Sequence, residues 1–170
     1  MEEQKKSENE KKEVGLYEKL AIRSKELIEE AKEKTSGTID KAIEKAKEEM
    51  VVAGDFSHDQ GEKLKAFLKR DLEVTRKGVK AAGKVAKEAL EPHRLVAGAQ
   101  GTLATMLEVV GEKLETWGEK LEANLDYKTG ELSTPGSLTC KKCGNVIKIH
   151  ETGHIPPCPK CRGVEFHKSY

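Results

Sequence analysis

Apolar residues recur at three- and four-residue steps through most of this chain and give way near its end to short β-favouring stretches. Tyr17, Leu20, Ala21, Leu27, Ile28 and Ala31 share one side of a helix, with lysine and glutamate filling the other. Ser36-Gly37-Thr38 interrupts the pattern as either a kink or a turn, and Ile39, Ala42, Ile43, Ala46 and Met50 resume it. Gly54 then reads as a helix C-cap. Ser57 and Gln60 have the spacing of a capping box, in which each side chain satisfies the other's exposed backbone N–H, so a new helix is expected there. It runs through Leu64, Phe67, Leu68, Leu72, Val79, Ala82, Val85, Ala86 and Ala89, weakened at Gly78 and Gly83, and ends near Pro92. Leu103, Leu107, Val110, Leu114, Trp117 and Leu121 alternate steps of four and three, as the a and d positions of a coiled-coil seam do, through about Leu125.

At 1.5 Å per residue the helices before and after Pro92 would be roughly 50 and 45 Å long, and the broken N-terminal pair together roughly 60 Å. Three matched rods suggest an antiparallel bundle. The competing arrangement is one long helix kinked at Pro92, which must dimerise to bury its seam. Residues 1–13 are too charged and polar to offset ordering entropy and are expected to be a disordered lead-in. The fold class expected is mostly α: an elongated antiparallel helical bundle or coiled coil over 14–125, with a small C-terminal β ribbon over 126–170.

That boundary is drawn where turn chemistry appears, at Lys128-Thr129-Gly130 and Thr134-Pro135-Gly136, followed by Val146-Ile147-Lys148-Ile149. All four cysteines lie beyond it. Cys140-Lys-Lys-Cys143 and Cys158-Pro-Lys-Cys161 form two knuckles with two-residue spacing, each a tight turn that presents both sulfurs to one ion. Four ligands fill a tetrahedron and leave no position to activate water, so a structural metal is expected at Cys140, Cys143, Cys158 and Cys161. Zinc is the expected cofactor, and iron in a rubredoxin-like carrier is the alternative. A ribbon this small cannot fold on apolar burial alone, so Val146, Ile147, Ile149 and Phe166 are expected to pack only once the metal is held.

Charged residues make up 36% of the chain and aromatics 4%, with mean hydropathy −0.67, which leaves little bulky apolar material to line a deep pocket. The formal net charge of +1 favours neither nucleic acid nor an anionic membrane. From residue 126 onward seven Lys and Arg stand against four Asp and Glu, an excess that four thiolates around a divalent ion reduce to a single positive charge. No signal peptide or membrane span is evident, and paired thiols suit a reducing compartment, so a soluble cytoplasmic protein is expected. His150, His154 and His167 flank the ribbon and could replace a cysteine as ligand, but with four cysteines present they are read as solvent-exposed, while His58, in a helix's first turn, and His93, in an interhelical turn, have no matched nucleophile. Trp117 is read as core. Ala97-Gly98-Ala99-Gln100-Gly101 lacks the Lys-Ser/Thr and the preceding strand of a phosphate loop.

Three phrases carry a family resemblance. They are Ala53-Gly54-Asp55-Phe56-Ser57 leading into Leu68-Lys69-Arg70-Asp71-Leu72-Glu73, then Gly130-Glu131, and then Leu138-Thr-Cys140-x-x-Cys143 with Cys158-Pro159-Lys160-Cys161 and Phe166. From about Tyr17 onward the chain resembles the YbeL-like, zinc-ribbon-containing helical proteins of bacteria. The resemblance implies zinc at the four cysteines and brings no activity with it. One departure is Arg162, which follows the last cysteine where such knuckles often have glycine, so a distorted second turn is expected. No enzyme is expected, but a noncatalytic binding or scaffold module with a protein partner. The alternative is a nucleic-acid or ribosome-associated factor using Lys141, Lys142, Lys148, Lys160, Arg162 and Lys168. A homo-oligomer formed through the helical seam is a further expectation.

Overall fold

The computed structural model describes residues 2–33, 35–89, 99–110 and 126–169. Among the described residues four helices precede six short strands: α1 (Glu2–Glu30), α2 (Ser36–Val52), α3 (His58–Ala89) and α4 (Ala99–Val110). The break at Ser36 is a true reversal. Lys19 pairs with Asp55 and Arg23 with Glu49, so α2 runs antiparallel to α1. Lys69 pairs with Asp40 and Lys65 with Glu44, which sets α3 antiparallel to α2. The turn into α2 is held by Thr38 Oγ1, which accepts from the Thr35 N–H at 3.1 Å.

Gly54, at φ 77°, ends α2 as its sequence suggests. Its N–H donates to Val51 O and that of Asp55 to Met50 O, the two bonds that satisfy the last carbonyls of a helix closed by a left-handed residue. At the start of α3 the capping box forms: the Ser57 N–H donates to Gln60 Oε1 and the Gln60 N–H to Ser57 Oγ.

The core gathers Tyr17, Leu20, Ile28, Ile39, Ile43, Leu64, Leu68 and Leu72 with Leu103, Met106, Leu107 and Val110 of α4. α4 packs against α1 and α3 and shares their apolar core. The first three positions of the sequence seam, Leu103, Leu107 and Val110, are therefore buried within the chain's own bundle. Pro92, His93, Leu114, Trp117 and Leu121 lie outside the described residues.

Of the stretch over 1–13, expected as a disordered lead-in, residues 2–13 belong to α1, and Glu13 Oε2 lies 3.1 Å from His154 Nε2 on the ribbon. Lysine and glutamate favour helix intrinsically, and docking of the following apolar face extends the helix back through them.

Strands β1 (Asp126–Lys128), β3 (Gly136–Cys140), β4 (Val146–Ile149) and β6 (Glu165–Ser169) form one antiparallel sheet in the order β1-β6-β3-β4. β2 (Leu132–Ser133) and β5 (Gly153–His154) form a small second ladder. Strand alternation divides the main sheet into two faces. Tyr127, Phe166 and Cys140 are paired across three strands on the inner face, beside Lys168, Leu138 and Ile147. Val146, Thr139, His167 and Asp126 form the corresponding row on the outer face.

The inner face meets α3. Leu132 joins the helical core and Val74 joins the ribbon's core, so bundle and ribbon share packing across the expected boundary at 126. Six consecutive residues of α3, Arg70 to Thr75, are buried, which a helix exposed on one side cannot achieve. Within that stretch the Asp71 carboxylate accepts from Tyr17 OH (2.8 Å), Tyr127 OH (2.7 Å) and the Thr134 N–H (3.2 Å). Arg70 donates to Glu131 and to Leu132 O, and its guanidinium lies 3.8 Å from the centre of the Tyr127 ring.

Candidate metal centre

The two knuckles repeat one backbone design. In the first, the Gly144 N–H donates to Cys140 O and the Cys140 N–H to Asn145 O. In the second, the Arg162 N–H donates to Cys158 O and the Cys158 N–H to Gly163 O. Gly144 has φ 70° and Arg162 φ 55°, so the position after each second cysteine must enter the left-handed region. The expected distortion is absent: Arg162 adopts the conformation that Gly144 supplies without strain, and the turn closes in the same way.

These turns converge. The sulfurs of Cys140, Cys143, Cys158 and Cys161 all lie within 4.8 Å of one another, with Cys140 and Cys161 at 3.6 Å and Cys143 and Cys158 at 3.7 Å. A tetrahedral ion with metal–sulfur bonds of about 2.3 Å sets its sulfurs about 3.8 Å apart, whereas a disulfide needs about 2.05 Å. The quartet therefore fits a metal ion, and its four cysteines are free thiols. Gly163 makes the convergence feasible, because a Cβ there would lie 2.9 Å from Cys140 Sγ and 3.1 Å from Cys161 Sγ.

The electrostatics point the same way. Burial pushes the Cys158 thiol up, but backbone N–H donors of Cys161 and Lys160 prevail and hold it down at about 6. Cys161 is pushed up to about 12, first by its contact with the Cys143 sulfur and then by burial. Four crowded sulfurs cannot all ionise unaided; a cation at their centre removes that obstacle. Asn145 adds a weak donor, with Nδ2 3.9 Å from Cys158 Sγ.

All four cysteines singled out by spacing are brought together, and no histidine, aspartate or glutamate of the described residues joins them. His150 and His167 are exposed, His58 stands 3.9 Å from Glu62, and His154 faces Glu13. Phe166 is fully buried beneath Cys140, as expected, with Ile147 and Ile149 partly buried. Val146 is instead 52% exposed, because it lies on the outer face of edge strand β4.

The basic set also separates. Lys168 is 4% exposed, with its ammonium donating to Ser133 Oγ, Thr134 O and Thr134 Oγ1. Lys141 pairs with Asp126 at 2.6 Å. Lys142, Lys148, Lys160 and Arg162 remain exposed. Sequence reasoning did not single out Asn145 or the steric role of Gly163, although aligning Cys-Lys-Lys-Cys-Gly-Asn with Cys-Pro-Lys-Cys-Arg-Gly puts them in matching places.

Comparison with known proteins agrees with this geometry. No solved structure matches the chain. It is 22% identical over 130 residues to "Uncharacterized protein YbeL" of Escherichia coli strain K12, covering 76% of this chain and 81% of the relative. The proteins of the same description in strains O6:H1 and O157:H7 match to the same extent. The zinc-ribbon containing domain family matches residues 26–169, a span that takes in both knuckles and most of the bundle, and the chain belongs to that family.

Proposed function

We propose that the chain is a noncatalytic binding or scaffold module in which Cys140, Cys143, Cys158 and Cys161 hold one structural zinc ion. The observation that carries this reading is the closed sulfur quartet, all within 4.8 Å, with no further ligand-bearing side chain beside it among the described residues. Zinc bound there would supply folding energy, with no open position for activating water. The sulfur donor set also suits iron, and the two are separated by metal analysis: zinc gives a colourless protein with one equivalent per chain.

The partner surface proposed is the knuckle end of the ribbon, since the inner face already packs on α3. Val146 and Val164 are 52% and 55% exposed there, each following one knuckle, with Lys142, Lys160 and Arg162 on the turns themselves. Such a surface suits a protein partner that offers apolar side chains beside acidic ones. No helix of the described residues is long and apolar enough to cross a membrane, and a cytoplasmic location is part of this proposal. A homo-oligomer through the seam is less favoured, because Leu103, Leu107 and Val110 are buried within the chain.

The test is native affinity capture with the zinc-loaded full chain and with a Val146→Glu/Val164→Glu variant. A partner retained by the first and lost by the second supports the proposal; elution of the wild type alone as a monomer counts against it. A nucleic-acid role would use the four exposed cations Lys142, Lys148, Lys160 and Arg162. It requires RNA or DNA binding that weakens with salt and with removal of those charges.

A further inference from the structure

We propose that Asp71, a side chain of α3 remote in sequence from every cysteine, sets the metal affinity of the ribbon by anchoring it to the helical bundle. Two of the three hydrogen bonds its carboxylate accepts come from the ribbon, from Tyr127 OH at 2.7 Å and the Thr134 N–H at 3.2 Å. The third, from Tyr17 OH at 2.8 Å, fixes the same carboxylate to α1. Asp71 is fully buried, and Arg70 beside it reaches Glu131 and the carbonyl of Leu132. One side chain and its neighbour thus hold the 127–134 stretch of the ribbon on the bundle.

A continuous physical route joins this anchor to the sulfurs. Tyr127 is the cross-strand partner of Phe166, and Phe166 is the cross-strand partner of Cys140. All three are buried on the inner face, so Asp71, Tyr127, Phe166 and a metal ligand form one packed row. A ribbon of this size folds with its metal, so whatever stabilises the folded, docked ribbon also tightens metal binding. Linkage makes the effect reciprocal: if Asp71 strengthens metal binding, metal strengthens the packing of α1 and α3 around Asp71 by the same factor. Asparagine at this position keeps the size but loses the charge and one accepting atom, and its amide nitrogen would face O–H or N–H donors.

This inference rests on the metal reading above, and the test separates the two. Zinc affinity is measured on the full chain by competition with a chromophoric chelator, for wild type, Asp71→Asn and Tyr127→Phe. Circular dichroism of the zinc-saturated forms checks their helix content. The expected result is about tenfold weaker binding for Asp71→Asn, within the usual range of coupling between sites, and a smaller loss in the same direction for Tyr127→Phe. Affinities within twofold of wild type for both variants overturn the inference and leave the metal reading intact. A wild-type chain that takes up no zinc overturns both. Amide exchange in the wild type gives a readout that needs no variant to fold: chelation should deprotect α3 around Arg70 to Thr75 and α1 around Tyr17, and deprotection confined to the ribbon overturns the inference.

Discussion

Arg162 is the sole side chain among the described residues that holds a left-handed backbone, at φ 55°. A residue with a Cβ is strained there, by roughly 1 kcal/mol, and glycine is not. Replacing it in Arg162→Gly should stabilise the metal-loaded chain by about that amount in chemical denaturation. Lys168 offers a second test at this scale. Burial lowers its pKa from 10.5 to about 8, with the attraction of Asp71 opposing and the repulsion of Arg70 adding. The unfolded chain therefore binds more protons than the folded one between those values, so stability rises with pH from about 8 towards 10.5, whereas below pH 8 the cost of burying the charged group is constant and adds no pH dependence. Denaturation of the metal-loaded protein at pH 8 and pH 10 should show that rise, and Lys168→Met should flatten it. Sequence reading placed Lys168 on a basic surface, because its partners Ser133 and Thr134 and the buried wall around it come from other strands and from α3. Cys140, Cys143, Cys158 and Cys161 were legible because their signal is local: two-residue spacing fixes what each turn can present.

At the scale of elements, two helical glycines play opposite parts. Gly15 in α1 has nothing within 4 Å of where a Cβ would stand, whereas at Gly61 in α3 a Cβ would meet the Phe56 ring at 2.7 Å and Lys47 Cγ at 2.9 Å. Gly15→Ala should therefore stabilise by up to about 1 kcal/mol through helix propensity. Gly61→Ala should destabilise by about 1–3 kcal/mol, because it forces α3 away from Phe56 and α2. Thermal unfolding of both variants checks the contrast. The helix ends at Gly54 and Ser57 were readable, since caps are written within a few residues. The reversal at Ser36 was left open between kink and turn, because only the pairing of Arg23 with Glu49 and of Lys19 with Asp55 decides it. The helical start of α1 is hard to read for a related reason: charge density alone argues for disorder, and tertiary docking is not written in those residues.

For the whole molecule, a helical part and a small sheet carrying the four clustered cysteines were legible, and their interdependence was not. Arg70, Asp71 and Glu131 stood in the quoted family phrases without a role, and Tyr127 went unremarked, because contacts between residues more than fifty positions apart leave no periodicity to read. The four sulfurs, sharing one ion, are proposed as the tie that gives the ribbon its shape and the bundle its docked partner. This role of the quartet is checked by zinc titration of the reduced full chain with simultaneous counting of reactive thiols. One equivalent of zinc should protect all four cysteines together. Uptake of less than one equivalent, or zinc bound while any of the four thiols stays freely reactive, would contradict it.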